Sequence, residues 1–234
     1  MTGVVYLGGG GTGQDEGLLW ERMLGRCRRL LYWPLALEGD MLAGAEVWLR
    51  DQLAQRGFFP QVQTWTTLEG KDAAHLADVD LLFVGGGNTF FLLHHLQTHG
   101  FVEPVRQWVE AGGNYYGGSA GAILATDSIA IADHADSNDV GLLDLHGLGL
   151  LPGVGLLPHY RAKQQGLAQS ISQDLGQPVV GVPEAAGLVV DKGAVEAVGP
   201  EAVWTVTGAS IAKHPPGSIL SFTERSRQTS TGSF

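Results

Sequence analysis

The chain reads as an α/β protein: a three-layer arrangement with a mostly parallel central sheet, helices on both faces and a C-terminal antiparallel meander. Three observations point there. Short apolar runs alternate with helical patterns, as strand–helix units do. The run Val79–Val84 reads as a central strand buried on both faces. Near the C-terminus, three short strand patterns follow one another with only turn residues between them.

Gly3–Leu7 is the first expected strand, ending in the run Gly8–Gly9–Gly10–Gly11. Leu30–Leu37 is the second, and Leu42–Arg56 is a helix with apolar residues at 42, 45, 49 and 53. Gln61–Thr66 alternates as a strand with one wet face does. After Val79–Val84, Phe90–His99 and Val102–Glu110 are helical and could form one helix broken near Gly100 and Pro104. Asn114–Tyr116 is a strand entering Gly117–Gly118–Ser119–Ala120–Gly121, and Ala120–Ala125 begins a helix. Asp127–His146 holds many Asp and no clear period, so a long, partly irregular loop is expected. Gly155–His159 and Pro178–Val182 are short strands around a polar helix at Gln164–Gly176. Leu188–Val190, Ala194–Val198 and Val203–Val206 form the meander, turned at Asp191–Lys192–Gly193 and Gly199–Pro200. No repeat or linker divides the chain. One α/β domain is expected over 1–224, with a Ser/Thr-rich, disordered tail over 225–234.

Composition narrows the function. The chain has 234 residues, 44% hydrophobic and 16% charged, which is globular rather than disordered. A formal charge of -10 argues against nucleic acid and anionic membranes as partners, since both need clustered Lys and Arg. Small molecules and peptides remain. Cys27 is the single cysteine, so there is no intrachain disulfide, as suits a reducing compartment. Arg26, Arg28 and Arg29 beside it could lower its pKa, but no His stands nearby. The chain enters a strand almost at once, without a basic leader, and no apolar stretch reaches membrane-span length. A cytoplasmic protein is expected.

The chemistry gathers at Ser119. Gly117–Gly118–Ser119–Ala120–Gly121 fits G-x-S-x-G, a strand-to-helix turn that presents a serine nucleophile. Positive φ at the serine requires small residues two before and two after it, and all four neighbours are Gly or Ala. The helix start also aims backbone N–H groups at developing negative charge. A hydroxyl needs a base, and His159, closing the apolar run 154–158, is the best placed. Glu184, after the strand ending at Val182, is the best acid to orient it. The second glycine loop, Gly85–Gly86–Gly87–Asn88–Thr89, brings backbone amides close to a ligand. The Gly87 and Ala120 N–H groups are therefore the expected oxyanion hole.

Three other readings compete, one of them a non-catalytic binding module on the same fold. Gly8-x-Gly10-x-x-Gly13 follows the first strand, and Glu38 stands where a ribose-binding acid would, as in a Rossmann-type dinucleotide site. Against it, Gln14–Asp15–Glu16 sets two acids where a pyrophosphate would lie, and the run can border the serine's cleft instead. His95 and His99, spaced i, i+4 with Glu103 a turn on, have metal-ligand spacing on an otherwise polar face. No cofactor and no metal are expected.

The segments VGGGNTFFLL (84–93), YGGSAGAI (116–123), LLPHY (156–160) and GVPEAAGLVV (181–190) together resemble peptidase E, the aspartyl dipeptidases, and its relative cyanophycinase. The resemblance implies a fold like the glutaminase domain of class I amidotransferases, with Ser in place of Cys. It implies a Ser–His–Glu triad at Ser119, His159 and Glu184, and a serine exopeptidase acting on short peptides through an acyl-enzyme. The order Ser, His, Glu is not that of α/β-hydrolases. By the same resemblance Asn88 lies near the substrate and a homodimer is suggested. Aspartyl dipeptidases release N-terminal Asp, using an Arg-bearing stretch after the histidine. Here that stretch is RAKQQGLAQS, where Arg161 and Lys163 are the cations and Arg161 is the substrate-binding candidate. The Asp-rich loop (Asp127, Asp133, Asp136, Asp139) could accept a substrate amine or shape a lid.

Overall fold

The structure, a computed structural model, describes residues 2–222. The expected tail at 225–234 lies outside the described residues. Strand β1 (Val5–Gly8) is followed by helix α1 (Gly17–Leu24), β2 (Arg29–Trp33), α2 (Gly39–Gln55) and β3 (Gln61–Thr64). Then come β4 (Leu81–Val84), α3 (Thr89–Thr98), α4 (Val102–Glu110), β5 (Asn114–Gly118) and α5 (Ala120–Leu124). Strand β6 (Gly155–Leu157), α6 (Gln165–Leu175) and β7 (Val179–Gly181) lead to β8 (Gly187–Asp191) and β9 (Ala194–Val198). The described chain closes with β10 (Val203–Thr207), β11 (Ser210–His214) and β12 (Ile219–Leu220).

The main sheet has eight strands in the order β12-β9-β8-β1-β5-β4-β2-β3. From β1 to β3 all neighbours are parallel, and β8, β9 and β12 add on antiparallel. Strand alternation explains the layers. In β2, β4 and β5, Leu31, Trp33, Leu82, Val84 and Tyr115 face one way, into a core shared with α3, α4 and α5. Leu30, Tyr32, Leu81, Phe83 and Tyr116 face the other, against α1 and α2. Residues of both faces are buried, so these strands read as unbroken apolar runs, whereas the exposed Gln61 and Gln63 mark β3 as an edge strand.

The meander is divided. β8 and β9 pair antiparallel in the main sheet, but β10 leaves it for a second sheet of order β11-β10-β7-β6. The reason is visible at β6 and β7, three residues each and parallel to one another. A pair that short is not stable alone, and the β10–β11 hairpin supplies the missing ladder. Helix α1 was not legible beside the glycine run, although Leu19, Trp20, Met23 and Leu24 bury one face of it. The helical stretch 89–110 is two helices, because Gly100 turns at φ 67° and Pro104 sits in the first turn of α4. The acidic loop contains a 3₁₀ helix at Ile129–His134.

Parallel pairing levels the strand ends. Gly8 lies opposite Gly118 and Val84 opposite Gly117, so the chain after β1, β4 and β5 emerges on one edge. Helix α5 packs tightly there: a Cβ on Gly117 would stand 2.2 Å from Gly121 O, and one on Gly121 would stand 2.5 Å from Val84 O. Gly121→Ala forces backbone to move, so we expect a loss of about 1–3 kcal/mol, or roughly 2–12 °C in Tm, on thermal denaturation. An unchanged Tm would show that the turn can relax freely.

Candidate active site

Ser119 stands between β5 and α5 with φ 50° and ψ −108°, a conformation that non-glycine residues rarely adopt. Its neighbours hold it there. Ser119 N–H donates to Gly8 O at 3.4 Å, its carbonyl accepts from Ala122 and Ile123 N–H, and Tyr115 Oη donates to Gly121 O at 2.7 Å. Helix α5 has only five residues, so local amides rather than a long helix dipole face the serine.

His159 and Glu184 come from the second sheet. Leu157 of β6 pairs with Gly181 of β7, so the two chains leave their strands level. His159 has φ 53° and donates its N–H to Gly9 O at 2.8 Å. The result is a chain of side chains: Ser119 Oγ lies 3.0 Å from His159 Nε2, and His159 Nδ1 lies 3.1 Å from Glu184 Oε1. Two of the three non-glycine positive-φ residues among those described, Ser119 and His159, are in this chain. His159 and Glu184 are about half exposed, at 47% and 48%. The structure thus brings together the three residues expected to act together.

The other expected positions fare differently. Gly86 is the glycine that faces the serine: a Cβ there would lie 3.1 Å from Ser119 Cβ. Gly87, at φ 133°, turns toward Ala36 O instead. Among the described residues, the N–H groups of Gly86, Gly87 and Ala120 have no acceptor. Asn88 does not reach the cleft with its side chain. It caps α3 through Phe91 N–H at 2.9 Å and donates to Ser137 O at 2.9 Å. Arg161 is 65% exposed and lies 3.9 Å from Glu184 Oε1, beside the acid rather than in the cleft. Three of the acidic loop's four carboxylates are engaged elsewhere, Asp127 with Gly153 N–H, Asp136 with Thr89 N–H and Asp139 with Ser137 Oγ. None of them lines the cavity at Ser119.

That cavity was not legible in the sequence. It has a volume of about 450 Å³, opens at Ser119, and is walled by Tyr32, Phe83, Tyr116, Met41 and Trp48, with Asp40 among them. The one signal for it was position, since the start of α2 follows the C-terminal end of a parallel strand.

Glu16, which the sequence offered only as an obstacle to a pyrophosphate, is the other unforeseen residue. It is 1% exposed. Oε1 accepts from Gly10 and Gly11 N–H at 2.9 and 3.1 Å, and Oε2 from Tyr116 Oη and Trp20 Nε1 at 2.7 and 3.2 Å. The remaining amides of the run are engaged too: Gly9 with Ala186 O, Thr12 with Asp15 and Gly13 with Gln52. No free amide remains to cradle a pyrophosphate, which removes the basis of the dinucleotide reading. Burial outweighs these four hydrogen bonds and raises the Glu16 pKa to about 7, while the phenol of Tyr116 is also pushed well up by burial and by Glu16.

Cys27, for which a lowered pKa was considered, is instead pushed up to about 12 by burial and by the charge of Asp80. Among the described residues, no group of three or more His, Cys, Asp or Glu side chains is arranged to hold a metal, and no helix is long and apolar enough to cross a membrane. The rings of His95 and His99 stack with centroids 6.4 Å apart.

Fold and site together define a class: an α/β protein with a serine on a strained strand-to-helix turn, a histidine beside it and a glutamate behind. The chain belongs to peptidase family S51, whose model matches residues 19–198. It is 37% identical over 126 residues to a peptidase E of Shewanella amazonensis, covering 48% of this chain and 51% of that protein. It is 31% identical over 144 residues to a peptidase E of Citrobacter koseri, covering 56% and 60%. The chain thus spans little more than half the length of these relatives. In fold it is similar to the crystal structure of a peptidase from an acI-B1 actinobacterium, with TM-score 0.72 and 19% identity over 95% of this chain and 98% of that one.

The Glu16 carboxyl gives a pH test. Its folded pKa of about 7 lies above the ordinary 4.5, so between these values the folded chain keeps a proton that the unfolded chain has lost. That contribution is complete below about 4.5 and is lost as pH rises through about 7. Relative to Glu16→Gln, the wild-type Tm should therefore fall as pH rises from 5 to 8. A constant difference across that range would show that Glu16 does not titrate there.

Proposed function

We propose that this chain is a serine peptidase that cleaves short peptides through an acyl-enzyme, with Ser119, His159 and Glu184 as its triad. The observation that carries the reading is the unbroken chain of contacts from Ser119 Oγ through both imidazole nitrogens to Glu184, built on two positive-φ residues. Membership of peptidase family S51 and relatives named peptidase E support it.

In this reading Ser119 Oγ attacks the scissile carbonyl carbon while its proton passes to His159 Nε2. Glu184 accepts from His159 Nδ1–H, keeps the tautomer and stabilises the imidazolium. The oxyanion forms beside the unengaged amides of Ala120 and of the Gly86–Gly87 turn, and losing one such donor typically slows reaction by about 10²–10³. As the C–N bond breaks, His159 returns the proton to the leaving amine. A water then attacks the ester carbonyl, gives its proton to His159, and the Ser119 oxygen leaves with that proton. Exposure of His159 leaves water access for this second half.

The test is release of free amino acid from a panel of short peptides, together with covalent labelling by a fluorophosphonate. Wild type should show both activities and Ser119→Ala neither. His159→Ala should lower kcat/KM by about 10²–10⁴. Hydrolysis that survives in Ser119→Ala would end the reading.

A further inference from the structure

The cavity at Ser119 says what kind of peptide fits. Its walls are aromatic and apolar, and burial keeps Tyr32 and Tyr116 neutral by pushing both phenols up. Among the described residues that line it, Asp40 carries the sole charge, and that charge is negative. The cations expected to meet an acidic substrate are not there: Arg161 sits beyond the triad, next to Glu184. Two large apolar side chains on the wall, Met41 and Trp48, are left 68% and 42% exposed. Apolar surface that a folded chain leaves open beside a reactive group is covered when a matching ligand enters.

We propose that this cavity holds the side chain of the residue whose carbonyl Ser119 attacks, and that this side chain is large and apolar, of the Phe, Leu or Met kind. The inference rests on the peptidase reading above and deepens it. A substrate carboxylate entering here would lose its hydration and meet only the charge of Asp40, so acidic residues are rejected twice over, by desolvation and by repulsion. An apolar side chain of adequate size displaces water from the aromatic wall instead. A volume of about 450 Å³ accommodates the largest side chains together with the adjoining backbone.

Gly44 offers a direct handle. It lines the cavity from α2, and a Cβ added to it meets nothing within 4 Å. Gly44→Leu therefore fills part of the cavity without disturbing the core, and Gly is a poor helix former that most replacements improve.

The experiment uses dipeptides X-Leu, in which the single peptide bond makes X the residue attacked. Wild type should prefer Phe, Leu and Met over Asp by at least about a hundredfold in kcat/KM, since one methylene in an apolar pocket is already worth about 10–200-fold. Gly44→Leu should lower the Phe-to-Ala ratio at least tenfold while fluorophosphonate labelling of Ser119 persists. Asp40→Asn should narrow the gap between Phe and Asp substrates. A preference for Asp, or a Phe-to-Ala ratio that Gly44→Leu leaves unchanged, would overturn the proposal. Labelling without hydrolysis of any dipeptide would also overturn it, and leave the nucleophile standing. If wild type neither labels nor hydrolyses, the peptidase reading itself fails.

Discussion

Everything at the site is measured from the backbone of the glycine run 8–11. Gly8 O receives the Ser119 amide, Gly9 O receives the His159 amide, and Gly9 N–H reaches Ala186 O, two residues beyond Glu184. Nothing larger than hydrogen fits along this segment. A Cβ on Gly9 would lie 1.8 Å from Pro183 O, one on Gly10 2.4 Å from the His159 ring, and one on Gly11 2.3 Å from Glu184 O. Ser119 belongs to one sheet and His159 and Glu184 to another, and this run is where the sheets touch. A fixed geometry between them requires a fixed loop.

Glu16 supplies that fixity. A glycine-rich loop has much conformational freedom in the unfolded chain, so ordering it is costly. The buried carboxylate offsets the cost by gathering two loop amides, an indole N–H and the phenol of Tyr116 on the strand that leads to Ser119. Its own desolvation sets a limit, visible as the raised pKa. The strain at Ser119 and His159, of order 1–3 kcal/mol each, persists because neighbours on several sides over-determine both residues. One oxygen of this carboxyl holds Tyr116 and the other the loop amides, so the wall of the cavity and the loop beside Ser119 share one anchor.

Legibility in the sequence followed the range of the interactions. Ser119 was readable because its requirement is local: small residues on both sides within one turn, borne out by the clashes at Gly117 and Gly121. His159 and Glu184 were readable as polar residues ending apolar runs. The sheet they belong to was not, because three-residue strands have no period and β10 is indistinguishable from its neighbours until the pairing of β7 is known. The central strands were plain because both their faces are buried. Glu16 and Asp40 were misjudged or missed for a common reason. Glu16 takes its donors from the glycine run, α1 and β5, and Asp40 lines a cavity walled by other strands; a carboxylate in a sequence gives no sign of whether it faces water, four donors or an aromatic wall. At Cys27, too, the nearby Arg26, Arg28 and Arg29 count for less than burial and Asp80.

The site is asymmetric in a way that suits its proposed chemistry. On one side of Ser119 the imidazole and carboxylate stand half in water, with Arg161 beside them. On the other, the walls are aromatic and neutral apart from Asp40. Acylation needs a substrate held by contacts that exclude water from the bond being broken, whereas deacylation needs water at the histidine. A serine placed on the boundary between the two surfaces can serve both steps without a moving lid. The two sheets meet at that boundary, and α2, which contributes Met41, Ala45 and Trp48 to the apolar wall, packs on the face of the main sheet where Glu16 and Tyr116 are buried. The apolar wall and the anchor of the loop are therefore parts of one layer, while His159 and Glu184 belong to the other.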